Sequence, residues 1–503
     1  MINQLLRKSW NPLVFRILSG IVFILMIFIL YFGSLNLIFN IDRSLIMFIL
    51  WTLWWPFLYI TLIFLGRFWC GFLCPIGLTN EMGNSLRKAK KDYLMKYSFL
   101  PFVVFFLIVF WEQVSGLFSS AKITILFLLT FFISAFLLGI VIPRWGFCRH
   151  FCPIGTLFKP FGRLSMIGLR TNKDICRECK TKECIKGGRV EGCPVFLYVP
   201  DLESNKDCLL CTNCIKNCPY DSAKLKILKP GEELSKKASF NLQESLFIVA
   251  LLGLTVLLTS SGTQLLRIFG LEGSIARLVD FILWISIFLI LYFFITYISN
   301  RVDGNKKENF KEDLIDGGYV FLPIVFSLMF FLIVFGFITP LTKINENLVA
   351  ISKYAILLVG ASWSVKLSIG LFKKRSWIYL VSIIGIFLFW ILILIPGPLS
   401  LIKYEEKVYI AEHNETLNMK SFNMGYDPKI IKTAKGGYFD LNITDLDIPH
   451  DFIIDELNIR VNFDGGENKI IRINLPNKSG EYEYYCGVPG HREGGMKGLL
   501  IVE

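Results

Sequence analysis

Residues 66–77 read GRFWCGFLCPIG and residues 143–155 read PRWGFCRHFCPIG. Both contain Cys-x3-Cys-Pro-Ile-Gly: Cys70, Cys74 and Pro75 in the first, Cys148, Cys152 and Pro153 in the second. Each ends an apolar run, 44–66 and 123–143, and each of those runs follows another, 17–41 and 97–117. About 20 consecutive apolar residues are a membrane span by default. The first four helices therefore read as a duplicated hairpin, each copy closing on the same cysteine motif. A spacing of four puts two side chains on one helix face, and the residue before Pro is pushed out of helical backbone. Each motif is expected to end a helix with two thiols on one side.

Working outward, further apolar runs occupy 245–266, 278–300, 317–342, 347–372 and 376–402, which makes nine candidate helices. The eighth contains Lys353 and Lys366, whose long stems can snorkel to opposite interfaces. The chain has 503 residues, 54% hydrophobic and 18% charged, where a soluble domain carries about a quarter charged. A wholly soluble enzyme, a small disulfide-stapled domain and a disordered tail are excluded. The first run is too long for a signal-peptide core and more spans follow, so it is expected to be retained.

The formal charge is +13, but residues 403–503 hold 12 Lys/Arg against 17 Asp/Glu, and the rest of the chain 41 against 23. The basic excess lies between apolar runs. It reads as a topology signal and not as a nucleic-acid surface. Loop 67–96 has six Lys/Arg, among them Arg87, Lys88, Lys90 and Lys91, and segment 144–244 has eighteen; the alternate loops carry one each, Arg43, Lys122, Arg267 and Lys343. By the positive-inside rule the N-terminus and segment 144–244 are cytoplasmic. Nine crossings then put the C-terminal region outside a bacterial or archaeal cytoplasmic membrane.

Eight of the thirteen Cys lie in 176–218. The later run is Cys208-x2-Cys211-x2-Cys214-x3-Cys218-Pro219, and the earlier one Cys176-x2-Cys179-x4-Cys184-x8-Cys193-Pro194. In two-cluster ferredoxins the fourth Cys of such a run ligates the other cluster. The expected pairing is crossed: Cys176, Cys179, Cys184 and Cys218 for one [4Fe-4S] cluster, and Cys208, Cys211, Cys214 and Cys193 for the second. Zinc also takes paired Cys, but two four-Cys runs each closed by Cys-Pro point to iron–sulfur. Cys70, Cys74, Cys148 and Cys152 lack the following His of a haem attachment site. They stay open between redox dithiols and joint ligands of a metal or cluster; repetition of the whole motif argues against mere buried packing. Their neighbours Arg67, Arg144 and Arg149 are expected to favour thiolates. His150 reads as an interfacial side chain. Glu112, late in the third helix, is a candidate proton acceptor.

The last Cys lies in YEYYCGVPGHREGGMKG, which spaces Cys486, His491 and Met496 as Cys-x4-His-x4-Met, with His450 upstream in IPHDFIID. Two imidazoles, a thiolate and a weak axial thioether make a blue-copper site. Tyr482 stands where a dinuclear centre would need a second Cys, so one copper is expected. Ile471, Ile473 and Leu475 alternate with polar residues, and Gly465-Gly466 and Asn477–Gly480 supply turns. A Greek-key β-sandwich of about 100 residues fits. His413 lies apart from this pattern, as a surface residue.

At these residues, residues 1–235 resemble the membrane-bound polyferredoxins of the NapH/NosR/CcoG type, and residues 404–503 resemble the cupredoxins, nearest in spacing to rusticyanin-type proteins. Residues 245–402 and the fused copper domain depart from the first family. The resemblance implies electron transfer from quinol or cytoplasmic donors in support of a respiratory reductase, and one branch of the family reduces cupric ions.

The expected architecture is a polytopic α-helical membrane protein with an inserted ferredoxin-like α+β segment and a C-terminal β-sandwich. Residues 1–169 form the duplicated hairpins, 170–240 the two-cluster segment, 241–402 a second membrane bundle of about five helices and 403–503 the cupredoxin domain. The expected function is electron transfer between the clusters or a quinol pool and the outer copper, with redox partner proteins on both sides and membrane lipid around the helices. The alternatives are an enzyme, a quinol dehydrogenase or cupric reductase, or a copper-dependent assembly factor.

Overall fold

The computed structural model describes residues 12–33, 48–86, 92–115, 117, 121–258, 273–302, 310–335, 346–394, 408–422, 425–445, 450–463, 466–488, 491–492 and 496–503. Arg43, Arg87, Lys88, Lys90, Lys91, Arg267, Lys343 and Gly465 lie outside them. The fold is mostly helical with a C-terminal β region.

The duplication is three-dimensional. Helix α1 (Pro12–Gly33) precedes α2 (Trp55–Leu65), which is entered through a π-helical stretch Phe48–Trp54 and followed by α3 (Phe68–Phe72) and α4 (Pro75–Leu86). The second copy runs α5 (Leu100–Ser115), α6 (Ala121–Val141), α7 (Gly146–His150) and α8 (Pro153–Phe161). In each copy a five-residue helix carries the first Cys, and a new helix starts on the Pro after the second. Proline suits that first position because its missing N–H has no partner there anyway. The turn into α3 passes through Gly66 at φ +54°, left-handed backbone that costs glycine little. The copies interlock where α4 meets α6. A Cβ on Gly83 would lie 2.1 Å from the Phe136 carbonyl oxygen, and one on Gly139 2.3 Å from that of Asn80. Asn80 donates from Nδ2 to the Ala135 carbonyl at 2.6 Å.

The second bundle contains helices Leu242–Leu257, Gly273–Val302, Phe310–Val320, Leu322–Phe330, Glu346–Phe372 and Ser376–Leu394. Leu242–Leu257 and Leu322–Phe330 are buried on nearly every side, as a helix apolar all round should be. They pack into one core with Tyr59, Phe158 and Phe161 of the duplicated hairpins. Among the described residues, Ile123–Val141, Arg277–Val302, Phe310–Phe335 and Ile351–Ile391 are long and apolar enough to cross a membrane. Val14–Leu25, Ile49–Leu65, Leu100–Ser115 and Leu242–Leu257 are shorter apolar helices. Nine crossings were expected; parts of those runs, at 34–41, 259–266 and 395–402, lie outside the described residues.

Between the two bundles, strands β1 (Ile167–Arg170) and β2 (Lys224–Ile227) pair antiparallel and bracket all eight cysteines of the ferredoxin-like segment. Arg163, 1% exposed, fixes this segment to the second bundle. It donates to both Glu244 oxygens at 2.8 and 3.1 Å and to Ser204 Oγ at 3.1 Å, and it lies over the rings of Phe240 and Tyr319. Ser204 in turn donates to Glu233 at 2.8 Å.

The C-terminal strands are β3 (Val408–Ala411), β4 (Thr416–Phe422), β5 (Gly425–Asp427), β6 (Ile430–Thr433), β7 (Tyr438–Asp445), β8 (His450–Ile454), β9 (Ile459–Phe463), β10 (Asn468–Asn474), β11 (Gly480–Tyr485) and β12 (Lys497–Val502). They form a four-stranded sheet β10-β7-β4-β5 and a six-stranded sheet β3-β6-β12-β11-β8-β9. Alternation along β7 turns Phe439, Leu441 and Ile443 into the core. The same period of two carries Asp445 inward as well.

Candidate metal centres

The eight cysteines of the ferredoxin-like segment line two cavities. One is lined by Cys193, Cys208, Cys211 and Cys214 together with Leu169, Val199 and Leu210. The other is lined by Cys176, Cys179, Cys184 and Cys218 with Pro219 and Tyr220. Each set takes three thiols from one run and one from the other. The crossing has a local cause. Cys193 N–H donates to the Cys184 carbonyl at 3.1 Å, and Asn217 Nδ2 donates to the carbonyls of Val190 and Glu191 at 3.0 and 3.2 Å. The end of each run is thereby tied against the other. Burial and mutual repulsion push these thiols up, Cys208 and Cys211 to about 12 and Cys184 to about 11. Thiols crowded in an apolar cavity carry charge readily once a cation is among them, which is the demand an iron–sulfur cluster satisfies.

Cys70, Cys74, Cys148 and Cys152 come together from the two copies, near enough for their charges to act on one another. The two thiols of a motif do not share one helix. Cys152 caps α8, and its Sγ accepts the Gly155 N–H at 3.3 Å; Cys74, just before α4, accepts from Gly77 and Ile76. The expectation that basic neighbours favour thiolates is corrected. Burial outweighs Arg67 at Cys152, pushing it up to about 11, and at Cys74 burial and the neighbouring Cys70 and Cys152 thiols push it up to about 12. His150 is also no interfacial side chain: it is buried, with Nε2 3.0 Å from Asp92, which Arg149 holds at 2.6 Å.

In the β-sandwich, His450, Cys486, His491 and Met496 are all buried. His491 Nδ1 lies 3.6 Å from Cys486 Sγ, and the His450 and His491 ring centres are 5.2 Å apart. Cys486 N–H donates to the Met496 carbonyl at 3.0 Å, and Met496 N–H to that of His491 at 2.8 Å, which folds the loop back on itself. Asp451 N–H donates to Cys486 Sγ at 3.3 Å, the kind of bond that tunes a copper thiolate. Burial pushes His491 down to about 3, so its ring is neutral, as a ligand requires. Among the described residues no three His, Cys, Asp or Glu are already gathered as a single-ion shell. The donor set, its burial and its backbone pairing fit a copper ion. Tyr482 donates to the Lys478 carbonyl at 3.2 Å, and His413 is exposed against the Ala434 carbonyl.

Two acids escaped the sequence reading. Asp445 accepts at Oδ1 from Ser421 at 3.0 Å and lies 2.8 Å from His450 Nδ1 with its side chain fully buried. Asp280, on Gly273–Val302, is buried, and neither carboxylate oxygen has a hydrogen-bond partner among the described residues. A charge inside an otherwise apolar run was the signal for Asp280. Glu112 lies near the end of α5, where Arg277 donates to the adjacent Gln113 carbonyl.

Comparison with known proteins matches two parts of the chain. A family described as "4Fe-4S binding domain" matches residues 47–92 and 124–170, one copy of the Cys-x3-Cys-Pro motif each, and a "Cupredoxin-like domain" family matches residues 384–502. An uncharacterized protein of Methanocaldococcus jannaschii is 29% identical over 30% of this chain and 61% of its own length. The putative electron transport protein YccM of Escherichia coli is 25% identical over 38% of this chain and 58% of its own. The ferredoxin-type protein NapH of Escherichia coli is 23% identical over 31% and 60%. The chain thus spans about three fifths of these relatives. It carries a 4Fe-4S binding domain and a C-terminal cupredoxin-like domain, and its relatives are ferredoxin-type electron transport proteins.

Proposed function

We propose that this chain is a membrane electron carrier that joins cytoplasmic iron–sulfur centres, or a quinol, to a blue-copper centre on the outer side. The observation that carries the reading is the pair of cavities, each walled by four thiols drawn from both cysteine runs. Bound there, [4Fe-4S] clusters supply one-electron chemistry, and a copper ion supplies it in the β-sandwich. The protein's part is to exclude water from these sites, hold the thiolates and hydrogen-bond to sulfur, as Asp451 does at Cys486 and Gly155 at Cys152.

The hydrocarbon core is about 30 Å thick, and residues 245–402 contain neither His nor Cys. No haem can be ligated there by those side chains. A quinol moving in the bilayer, or a partner subunit, carries the electron across. Buried Asp280, whose oxygens have no partner among the described residues, favours a quinol dehydrogenase activity, since quinol oxidation needs a proton acceptor; Glu112 is the other candidate acceptor. Purified anaerobically, the full chain should hold about eight irons and eight sulfides from the ferredoxin-like segment and one copper with an intense thiolate charge-transfer band. Zinc in place of iron, or a colourless copper-loaded protein, would overturn the proposal.

A further inference from the structure

The two repeats are built alike but differ at one decisive place. Arg67 and Trp145 each stand three residues before the first Cys of a motif, and Gly77 and Gly155 each stand three residues after the second. Each glycine faces the opposite repeat at that place. A Cβ on Gly77 would lie 3.0 Å from the Trp145 ring, and one on Gly155 3.4 Å from an Arg67 terminal nitrogen. The contacts are reciprocal between the repeats, with an aromatic ring on one side and a cation on the other.

The ferredoxin-like segment is seated on both motifs. At the first, a Cβ on Gly71 would lie 2.2 Å from the Leu209 carbonyl oxygen and 2.9 Å from Cys211 N. Only glycine at the position after Cys70 lets the backbone bearing Cys208 and Cys211 come so near. Arg67 donates from Nη1 to the Lys206 carbonyl at 2.9 Å. At the second, Trp145 N–H donates to the Pro194 carbonyl at 3.2 Å, while Arg144 donates to the Cys193 carbonyl and, at 2.8 Å, to that of Ile185. Cys193, Cys208 and Cys211 belong to one cavity. That cavity is therefore held against both Cys-x3-Cys-Pro motifs, and these contacts do not involve the thiols of the other.

Arg67 sits between the two thiol groups. It is 3% exposed and its Nε has no hydrogen-bond partner among the described residues. Its charge acts on Cys70, Cys148 and Cys152 on one side and on Cys208 on the other. A buried cation is costly unless negative charge surrounds it, and thiolate-bound centres on both sides supply that charge.

We infer that the Cys70/Cys74/Cys148/Cys152 site exchanges electrons directly with the Cys193/Cys208/Cys211/Cys214 site across the Gly71–Cys211 contact, with Arg67 as the residue that positions the two. The inference rests on the reading that both thiol sets hold iron–sulfur centres. One electron leaves the reduced centre in the cavity and the four-thiol centre gains it; no bond forms or breaks and no proton moves. Arg67 stabilises the added negative charge on whichever centre holds it. The Cys176/Cys179/Cys184/Cys218 site is the third centre.

The test uses the full chain, purified anaerobically, with iron analysis and redox-titrated electron paramagnetic resonance on wild type, Arg67→Gln, Arg67→Lys and Gly71→Ala. Wild type should hold about twelve irons, with mutual line broadening between two centres once both are reduced. Arg67→Gln should disfavour reduction of those two by about tenfold, a downward shift of about 59 mV for a one-electron centre, and leave the third in place. Arg67→Lys, which keeps the charge, should restore most of the shift. Gly71→Ala should weaken the broadening; should it instead lose iron, the Arg67 pair still decides. Eight irons, unchanged by Cys74→Ser and Cys152→Ser together, would remove the premise and the inference with it. Twelve irons without broadening, or an Arg67→Gln shift as large at the third centre, would overturn the inference alone.

Discussion

Replacing Asp445 by Asn takes one negative charge out of the wall of the copper site while keeping its shape. Asp445 reaches His450 Nδ1 at 2.8 Å and accepts from Ser421 at 3.0 Å, with no exposure of its side chain. With Nδ1 engaged, His450 presents its other ring nitrogen to copper, about 7 Å from the carboxylate by the width of the ring and an ordinary metal–nitrogen distance. A unit charge at that range and an effective dielectric of about 20 is worth about 2.4 kcal/mol. For a one-electron centre this is about 100 mV, at 59 mV per tenfold. The negative charge favours Cu(II), so Asp445→Asn should raise the reduction potential by up to about 100 mV. Affinity should fall little, because Asn still accepts from both partners. Asp445→Leu removes the acceptor too and should weaken copper binding by about 10–100-fold, as losing the outer partner of a metal-bound His does. The assay is a spectro-electrochemical titration of the full chain with a chelator competition for affinity. An unchanged or lowered potential in Asp445→Asn, with the blue band intact, would refute the electrostatic reasoning.

The crossed cavities predict that Cys218→Ser disturbs the centre bound by Cys176, Cys179 and Cys184, although it lies in the other run, and that Cys193→Ser disturbs the one bound by Cys208, Cys211 and Cys214; resonance spectra of the single mutants that show the opposite assignment would reject the pairing. Cys74→Ser with Cys152→Ser should stop copper reduction by a cytoplasmic or quinol donor in vesicles while copper stays bound, and wild-type rates would make these four thiols packing residues. Arg163→Met leaves Glu244 buried without its partner, which should cost about 3–5 kcal/mol and be read as a lowered melting temperature and faster proteolysis between residues 170 and 240. Adding Glu244→Leu should recover much of that loss, and a double mutant no more stable than the single would count against the buried pair as its cause.

What could be read from the sequence and what could not divides along physical lines. Cysteine spacing and the two Cys-Pro ends foretold which thiols share a cavity, because ligand geometry is local apart from one crossing. The candidate copper donors were named for the same reason: three of the four stand in one eleven-residue stretch, Cys486 to Met496. Asp445 was not, since its burial follows from the register of β7, which turns a residue of polar type onto the core face. Nor was the sign of the balance at Cys74 and Cys152. Neighbouring arginines are visible in the sequence, but desolvation depends on the second repeat closing over the first. His150 was misread because its partner, Asp92, stands 58 positions away. Where the apolar runs continue past the described helix ends, as at 34–41, 259–266 and 395–402, the expected helix lengths lie outside the described residues.

The crossed cavities also bear on how the protein is made. The cavity begun by Cys176, Cys179 and Cys184 lacks its last wall until Cys218 has left the ribosome, and the one completed by Cys214 depends on Cys193 being held in place by Asn217. Neither can be finished on a nascent chain that stops short of the second run. By then the apolar helices α1, α2, α5 and α6 have already been made, and helix Leu242–Leu257, whose Glu244 anchors Arg163, comes next. Metal loading of this segment thus has to wait until 218 of the 503 residues have emerged, and the two cavities should fill, or stay unfilled, as a pair.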